Sequence, residues 1–193
     1  FDDKGKILNF NLKGKIKNGK IKFTKKYSFN NINFDFSYKK DQISLENISL
    51  AYKKIKFFSD NINIAQINSD GTRKITGKIK NEKTSINTNI FLNLLENDYD
   101  FIRDQKINLK TETEFGFELI KGKVKKLKYL SKINLDKINL NINSNVLKDL
   151  FDNFDNSILL ADNSIKLNYE NKNFNLEGNS TYSFNKSFDK INY

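Results

Sequence analysis

Ile32-Asn33-Phe34-Asp35-Phe36-Ser37-Tyr38 alternates apolar and polar side chains without a break. In an extended strand successive side chains point to opposite faces, so such a run has one apolar face and one polar face. The same beat spreads in both directions. Upstream, Leu8, Phe10, Leu12 and Ile16 share one parity, with Asn9, Asn11, Lys13, Lys15 and Lys17 on the other. Downstream it returns at Ile43/Leu45, Ile48/Leu50/Tyr52, Ile62/Ile64, Ile86 through Ile90 to Leu92, and Phe115/Phe117/Leu119. It continues at Ile133/Leu135, Ile138/Leu140/Ile142, Ile165/Leu167/Tyr169, Phe174/Leu176 and Tyr182/Phe184. Ile, Phe, Tyr and Thr also suit a pleated, half-buried surface. The pattern predicts a mostly-β chain from end to end.

The breaks between runs are short and polar. Asn18-Gly19 reads as a two-residue hairpin between Lys13–Lys17 and Lys20–Phe23. Asp70-Gly71, Lys39-Lys40-Asp41 and Glu170-Asn171-Lys172 read as further turns joining antiparallel strands. At Glu46-Asn47 the parity changes between Leu45 and Ile48, which fits either a bulge or a tight turn. One or two short helices interrupt the strands. Val146 to Phe154 carries apolar residues at helical spacing, with Asn145 as the expected N-cap. Phe91, Leu92, Leu94 and Leu95 fit either a strand or the start of a helix. Gly5, Gly14, Gly77 and Gly122 each open a Gly-Lys-Ile/Val element at irregular spacing, which is no fixed-period repeat. No linker or domain boundary stands out, and a single segment over 1–193 is expected.

Composition removes most chemistry. The 193 residues contain no His, Cys, Met, Trp or Pro. That leaves no imidazole acid–base group or metal ligand, no thiolate and no disulfide. No cofactor or metal site and no enzymatic activity are expected. The net charge of +11, from 34 basic and 23 acidic residues, fits an anionic partner. It fits better a bias toward AT-rich codons, which also favour Asn, Ile and Phe, and the lysines are spread too evenly to select a partner. Phe1 in place of Met leads to the expectation of a segment of a longer protein. No apolar stretch approaches the length of a membrane span.

The carboxylate pairs Asp98/Asp100, Glu112/Glu114 and Asp152/Asp155 are the remaining acid–base candidates. Glu112 and Glu114 lie on the polar parity opposite Phe115 and Phe117, where solvated side chains are expected. Gly71-Thr72-Arg73-Lys74 lacks the spacing of a phosphate loop. Tyr27, Phe29, Phe34, Phe36, Tyr38 and Tyr52 lie near lysines, yet keep parity with Ile and Leu. They are expected on an apolar face and not as base-stacking platforms, so no nucleic acid is expected.

A one-sided sheet must cover its apolar face. A β-sandwich or barrel does so with a second sheet, and the residues alone lean slightly that way. A long curved sheet with an apolar concave face does so with an acyl chain.

Two segments carry a family resemblance: Tyr27 to Tyr52 with its continuation into Ile55–Ile64, and Leu167 to Gly178 with the closing strands. Both resemble the AsmA-like superfamily, in particular its YhdP/TamB-type repeating-β-groove, bridge-like lipid transfer proteins. The stretch Asn171 to Gly178 also resembles, more weakly, the β-jellyroll carriers of lipopolysaccharide. The AsmA-like resemblance implies an antiparallel meander forming a curved, taco-like sheet with an apolar concave face. It implies a periplasmic, cell-envelope segment of a longer protein, held at the inner membrane by an anchor outside this segment. It implies phospholipid transport for outer-membrane biogenesis, with lipid acyl chains as partner. The groove residues expected on this reading are Leu8, Phe10, Leu12, Ile32, Phe34, Phe36, Tyr38, Ile48, Leu50, Tyr52, Ile138, Leu140, Ile142, Ile165, Leu167 and Tyr169.

Overall fold

The structure, a computed structural model, describes residues 10–22, 27–39, 42–94, 101–152, 154–183 and 188–193. Ten strands follow one another: β1 (Asn11–Lys22), β2 (Ser28–Lys39), β3 (Gln42–Tyr52), β4 (Ile55–Gln66), β5 (Arg73–Asn87), β6 (Lys106–Ile120), β7 (Lys123–Asn141), β8 (Ser157–Glu170), β9 (Asn173–Ser183) and β10 (Asp189–Asn192). Helix α1 (Thr88–Leu94) separates β5 from β6, and α2 (Asn145–Leu150) separates β7 from β8. Every strand lies beside its neighbours in sequence, giving one antiparallel meander that does not close. A sandwich or jellyroll needs two sheets and crossover connections, so that alternative is not the fold formed.

The chain falls into two compact units, which no change of composition marks. The first comprises Phe1–Asn81, Glu112–Ser131 and Asn168–Phe174; the second comprises Glu82–Thr111, Lys132–Leu167 and Asn175–Tyr193. Within the second unit Ile86, Leu92, Ile102, Ile107, Leu109, Leu135, Ile138 and Phe154 are buried. There α1 contributes Leu92, and the N–H and hydroxyl of Thr88 hold the backbone carbonyls of Gln105 and Asp104.

The turns are tight where two successive residues accept a left-handed backbone. Lys121-Gly122 (φ 48° and 76°) joins β6 to β7, and Asn171-Lys172 (φ 53° and 65°) joins β8 to β9. This is the conformation that best matches the twist of antiparallel strands. Asp70-Gly71 also turns, with the Asp70 carboxylate accepting the Thr72 N–H at 2.8 Å and Gly71 at φ 83°. Residues 40 and 41 lie outside the described residues, although Lys39 pairs with Gln42 across them.

Asn18-Gly19 is not a hairpin. Both residues lie inside β1, where Asn18 takes φ 54° and the pairing with β2 slips between Ile16/Phe34 and Gly19/Ile32. Asn31 in β2 (φ 51°) and Asn47 in β3 (φ 53°) do the same. These asparagines form a seam of irregularities across the first three strands. Asn is among the few non-glycine residues that adopt this conformation at small cost. The side chains tie the seam together. Asn33 accepts the Asn18 N–H at 3.0 Å and donates to the Asn31 carbonyl at 2.8 Å and the Ser49 hydroxyl at 3.1 Å. Asn47 donates to Asp35 at 2.9 Å.

The seam explains the parity change at Glu46-Asn47. β3 runs straight through it, and the unbroken β3–β4 register places Leu45 opposite Ile62 and Ile48 opposite Ser59. The apolar face continues across the seam, as Gly19 shows: a Cβ there would lie 3.3 Å from Ile16 and 3.4 Å from Ile32. Asn31→Gly is therefore expected to leave the urea midpoint nearly unchanged. Asn31→Val forces a β-branched residue into the left-handed region and is expected to cost about 1–2 kcal/mol. Equal midpoints for the two variants would contradict the seam.

α2 differs from its expected form. Its N-cap is Ser144, whose hydroxyl accepts the Leu147 N–H at 3.3 Å, and the helix ends at Leu150. Asn145 is the first helical residue, not the cap, and Phe154 is buried beyond the helix. Ser144 has the extended backbone (φ -130°, ψ 117°) that a cap needs, one residue earlier than expected. The segment after Asn87 is helical through Leu94, and Leu95 lies outside the described residues.

Candidate functional site: an apolar sheet face

Residues directly opposite each other in antiparallel strands project from the same face. The registers of β1 to β5 therefore assemble side chains into rows. One row reads Leu12–Tyr38–Ile43–Ile64–Ile75; the next reads Gly14–Phe36–Leu45–Ile62–Gly77, and Ile16 pairs with Phe34. Beyond the seam, Ile21–Phe29–Tyr52–Ile55 forms a fourth row, and Leu50 pairs with Phe57. The opposite face is polar: Lys13–Ser37–Ser44–Asn63–Thr76 and Lys15–Asp35–Glu46–Asn61.

The rows are unevenly buried. Ile75 and Ile55 are buried, the side chains of β2 to β4 in the first two rows are half-buried, and Leu12 on β1 is 46% exposed. Phe10, Ile16 and Ile21 are also exposed. No helix belongs to this unit among the described residues. Two glycines give the rings room. A Cβ at Gly14 would lie 2.6 Å from the Phe36 ring, and one at Gly77 would lie 2.8 Å from Ile62 and 3.1 Å from Phe115. Aromatic contacts knit the face: Phe34 with Phe36 at 6.5 Å, Phe10 with Tyr38 at 5.9 Å, and Tyr52 with both Phe29 and Tyr27.

Of the expected groove residues, Phe10, Leu12, Phe34, Phe36 and Tyr38 come together on this open part. Ile32 and Ile48 are buried beside the seam and Tyr52 is buried beyond it, with Leu50 half-buried between Ile48 and Tyr52. Ile138 belongs to the packed interior of the second unit. Leu140 is half-buried there in an isolated bridge to Ile102, and Ile142 follows the end of β7. Ile165 and Leu167 are half-buried on β8, and Tyr169 stacks on Tyr129 at 5.4 Å within the first unit. Leu8 lies outside the described residues. Gly14 and Gly77, which shape the face, were missed; a glycine in an otherwise alternating strand is the signal for a close approach.

Several of the carboxylates are occupied by cations and amides. Lys78 lies 2.7 Å from Glu112 and 3.5 Å from Glu114 on the polar side, and these contacts, Glu112 first, raise its pKa. The amide of Asn47, then Lys15, lowers that of Asp35, and Lys83, then Asn108, lowers that of Asp136. Asp155 accepts the Ser157 N–H. Asp98 and Asp100 lie outside the described residues. No cluster of ligands for a metal ion exists among the described residues, and no described helix is long and apolar enough to cross a membrane.

These shifts give the sign of each group's contribution to the pH response. The lowered aspartates contribute stability that is present above their unfolded value near 3.8 and is lost as pH falls through their lower folded values. The raised Lys78 contributes stability that is present below 10.5 and is lost as pH rises through its higher folded value. No side chain has an ordinary pKa between those limits and near neutrality, because the chain has no His. The melting temperature is expected to be flat from pH 6 to 8 and to fall only in the acid and alkaline limbs. A slope across neutrality in differential scanning calorimetry would refute this.

No family model, curated protein or solved structure matches the chain.

Proposed function

We propose that this chain is a non-enzymatic lipid-binding segment whose apolar face on β1 to β5 holds acyl chains, as in a lipid conduit of the cell envelope. The observation that carries the reading is the pair of apolar rows led by Leu12 and Gly14, which remain partly open from β1 to β4. Five strands at their usual spacing make each row about 19 Å long, comparable to an extended acyl chain. Each methylene removed from water there contributes about 0.8 kcal/mol, so a long chain gains enough to bind without any polar contact. The AsmA-like resemblance supports a periplasmic setting, an inner-membrane anchor elsewhere in the protein and phospholipid as cargo.

The test is native mass spectrometry with lipid extraction on protein purified from a bacterial envelope. Phospholipid at defined stoichiometry is expected. A clean apo mass from well-folded protein would overturn the reading in favour of a structural or adhesive β-domain. That second reading has its own support in the packed interior of the second unit, where Ile86, Ile107, Leu135 and Ile138 are already buried by the chain itself.

A further inference from the structure

The β6–β7 hairpin carries Lys121-Gly122-Lys123-Val124-Lys125-Lys126-Leu127-Lys128, and every one of these residues is exposed. Within the first unit, β7 reaches the end of β8 at Tyr129 and Lys128. Tyr129 stacks on Tyr169, and Lys128 lies 4.0 Å from Glu170, the last residue of β8. Lys121 to Lys128 thus form an exposed finger at the tip of the β6–β7 hairpin and the start of β7. Lys126 is held by Glu118 at 3.0 Å and Lys128 by Glu170. Lys121, Lys123 and Lys125 have no carboxylate partner among the described residues. Between them, Val124 is 53% exposed and Leu127 38%.

Lysines with no counterion, interleaved with exposed aliphatic side chains at a hairpin tip, match one kind of surface. Anionic headgroups complement the charge, and the headgroup–acyl boundary accepts Val124 and Leu127. A soluble polyanion would use the lysines and leave the aliphatic pair in water. We infer that the β6–β7 finger docks the protein onto an anionic lipid bilayer. The inference deepens the lipid-face reading: it rests on that reading for what docking delivers, while the docking stands on the finger alone.

The test measures partition of the purified chain onto phosphatidylcholine vesicles with and without phosphatidylglycerol. Binding to the anionic vesicles alone is expected. The triple variant K121Q/K123Q/K125Q is expected to weaken it about 100-fold, from about fivefold per lysine near an anionic surface. Val124→Ser with Leu127→Ser is expected to weaken it by about tenfold at unchanged charge. An equal charge removal on β1, K13Q/K17Q/K20Q, is expected to have a much smaller effect. Equal losses for the two triple variants would overturn the proposal as general electrostatics. No effect of the serine pair, with tight binding to a single-stranded oligonucleotide, would overturn it in favour of a polyanion site. Lipid uptake from detergent micelles separates the two readings. The finger variants are expected to load normally, and Phe36→Asp is expected to dock normally without loading.

Discussion

Phe36→Asp is expected to abolish phospholipid co-purification, with a loss of at least 100-fold in loading, while the protein still folds. Phe36 sits in the middle of the row Gly14–Phe36–Leu45–Ile62–Gly77, and its ring lies over the space that Gly14 leaves free. The substitution removes the ring and places an ionised carboxylate in the path of an acyl chain. Desolvating that carboxylate against hydrocarbon costs several kcal/mol, which exceeds the contribution of any few methylenes. The folded state loses less, because Phe36 is only half-buried and the new carboxylate keeps contact with water when no lipid is present. Phe36→Leu is expected to load almost normally. Lys13→Ala, across from Ser37 on the polar face, is expected to change nothing. The readout is lipid stoichiometry by native mass spectrometry, with circular dichroism to establish folding. Equal loading by Phe36→Asp and Lys13→Ala would remove this face from consideration.

Asn163→Asp is expected to be the most damaging single-atom-scale change in the second unit, at about 3–5 kcal/mol at pH 7. Asn163 is 3% exposed and joins three strands. Its amide N–H groups donate to the backbone carbonyls of Leu135 and Asp136 on β7, at 3.1 and 3.2 Å. Its oxygen accepts from the Ser180 hydroxyl on β9 at 2.8 Å. A carboxylate in its place aims negative charge at two carbonyl oxygens and cannot donate while ionised. Burial and those carbonyls raise the pKa of the new group, so its neutral form is favoured in the folded state. The variant is expected to regain stability as pH falls from 7 toward 5, opposite in sign to the wild-type acid limb. Urea titrations at the two pH values check this. A wild-type midpoint at pH 7 would show that the Asn163 network contributes little.

Much of the fold could be read from the residues because a half-buried sheet writes its two faces directly into the chain. Ile32 to Tyr38 and most runs like it are strands, and the turns at Asp70-Gly71 and Asn171-Lys172 had the expected chemistry. The run from Ile86 through Ile90 to Leu92 is not one strand: β5 stops at Asn87, and Ile90 and Leu92 lie in α1. Alternation over so few residues does not separate strand from helix. Asn18-Gly19 misled for a physical reason: the left-handed asparagine that starts a hairpin also makes a bulge, and only the pairing partner distinguishes them. Lys53-Lys54, which joins β3 to β4 with Lys53 at φ 53°, and Lys121-Gly122 were missed as turns, since lysine carries little turn signal. Asn163 was invisible, because nothing local separates a buried bridging amide from the many solvated ones. For the candidate face, parity identified the members but not their exposure. Leu12 and Ile75 end the same row, one open and one buried, and that depends on neighbours far away in sequence. The asparagine excess acquires a partial structural reason, since Asn18, Asn31, Asn47, Asn156 and Asn171 all have positive φ.

The order of the strands has a consequence for how the molecule forms. Each strand in the meander is hydrogen-bonded as a sheet only to the strand before it and the strand after it. Such a chain is energetically close to one-dimensional, with local terms for each hairpin and coupling terms between adjacent hairpins. Structure can spread strand by strand from a hairpin already formed, without first closing a long loop. Growth or loss at the open β1 margin then changes the length of the sheet by one strand at a time, and leaves the pairing of the remaining strands intact.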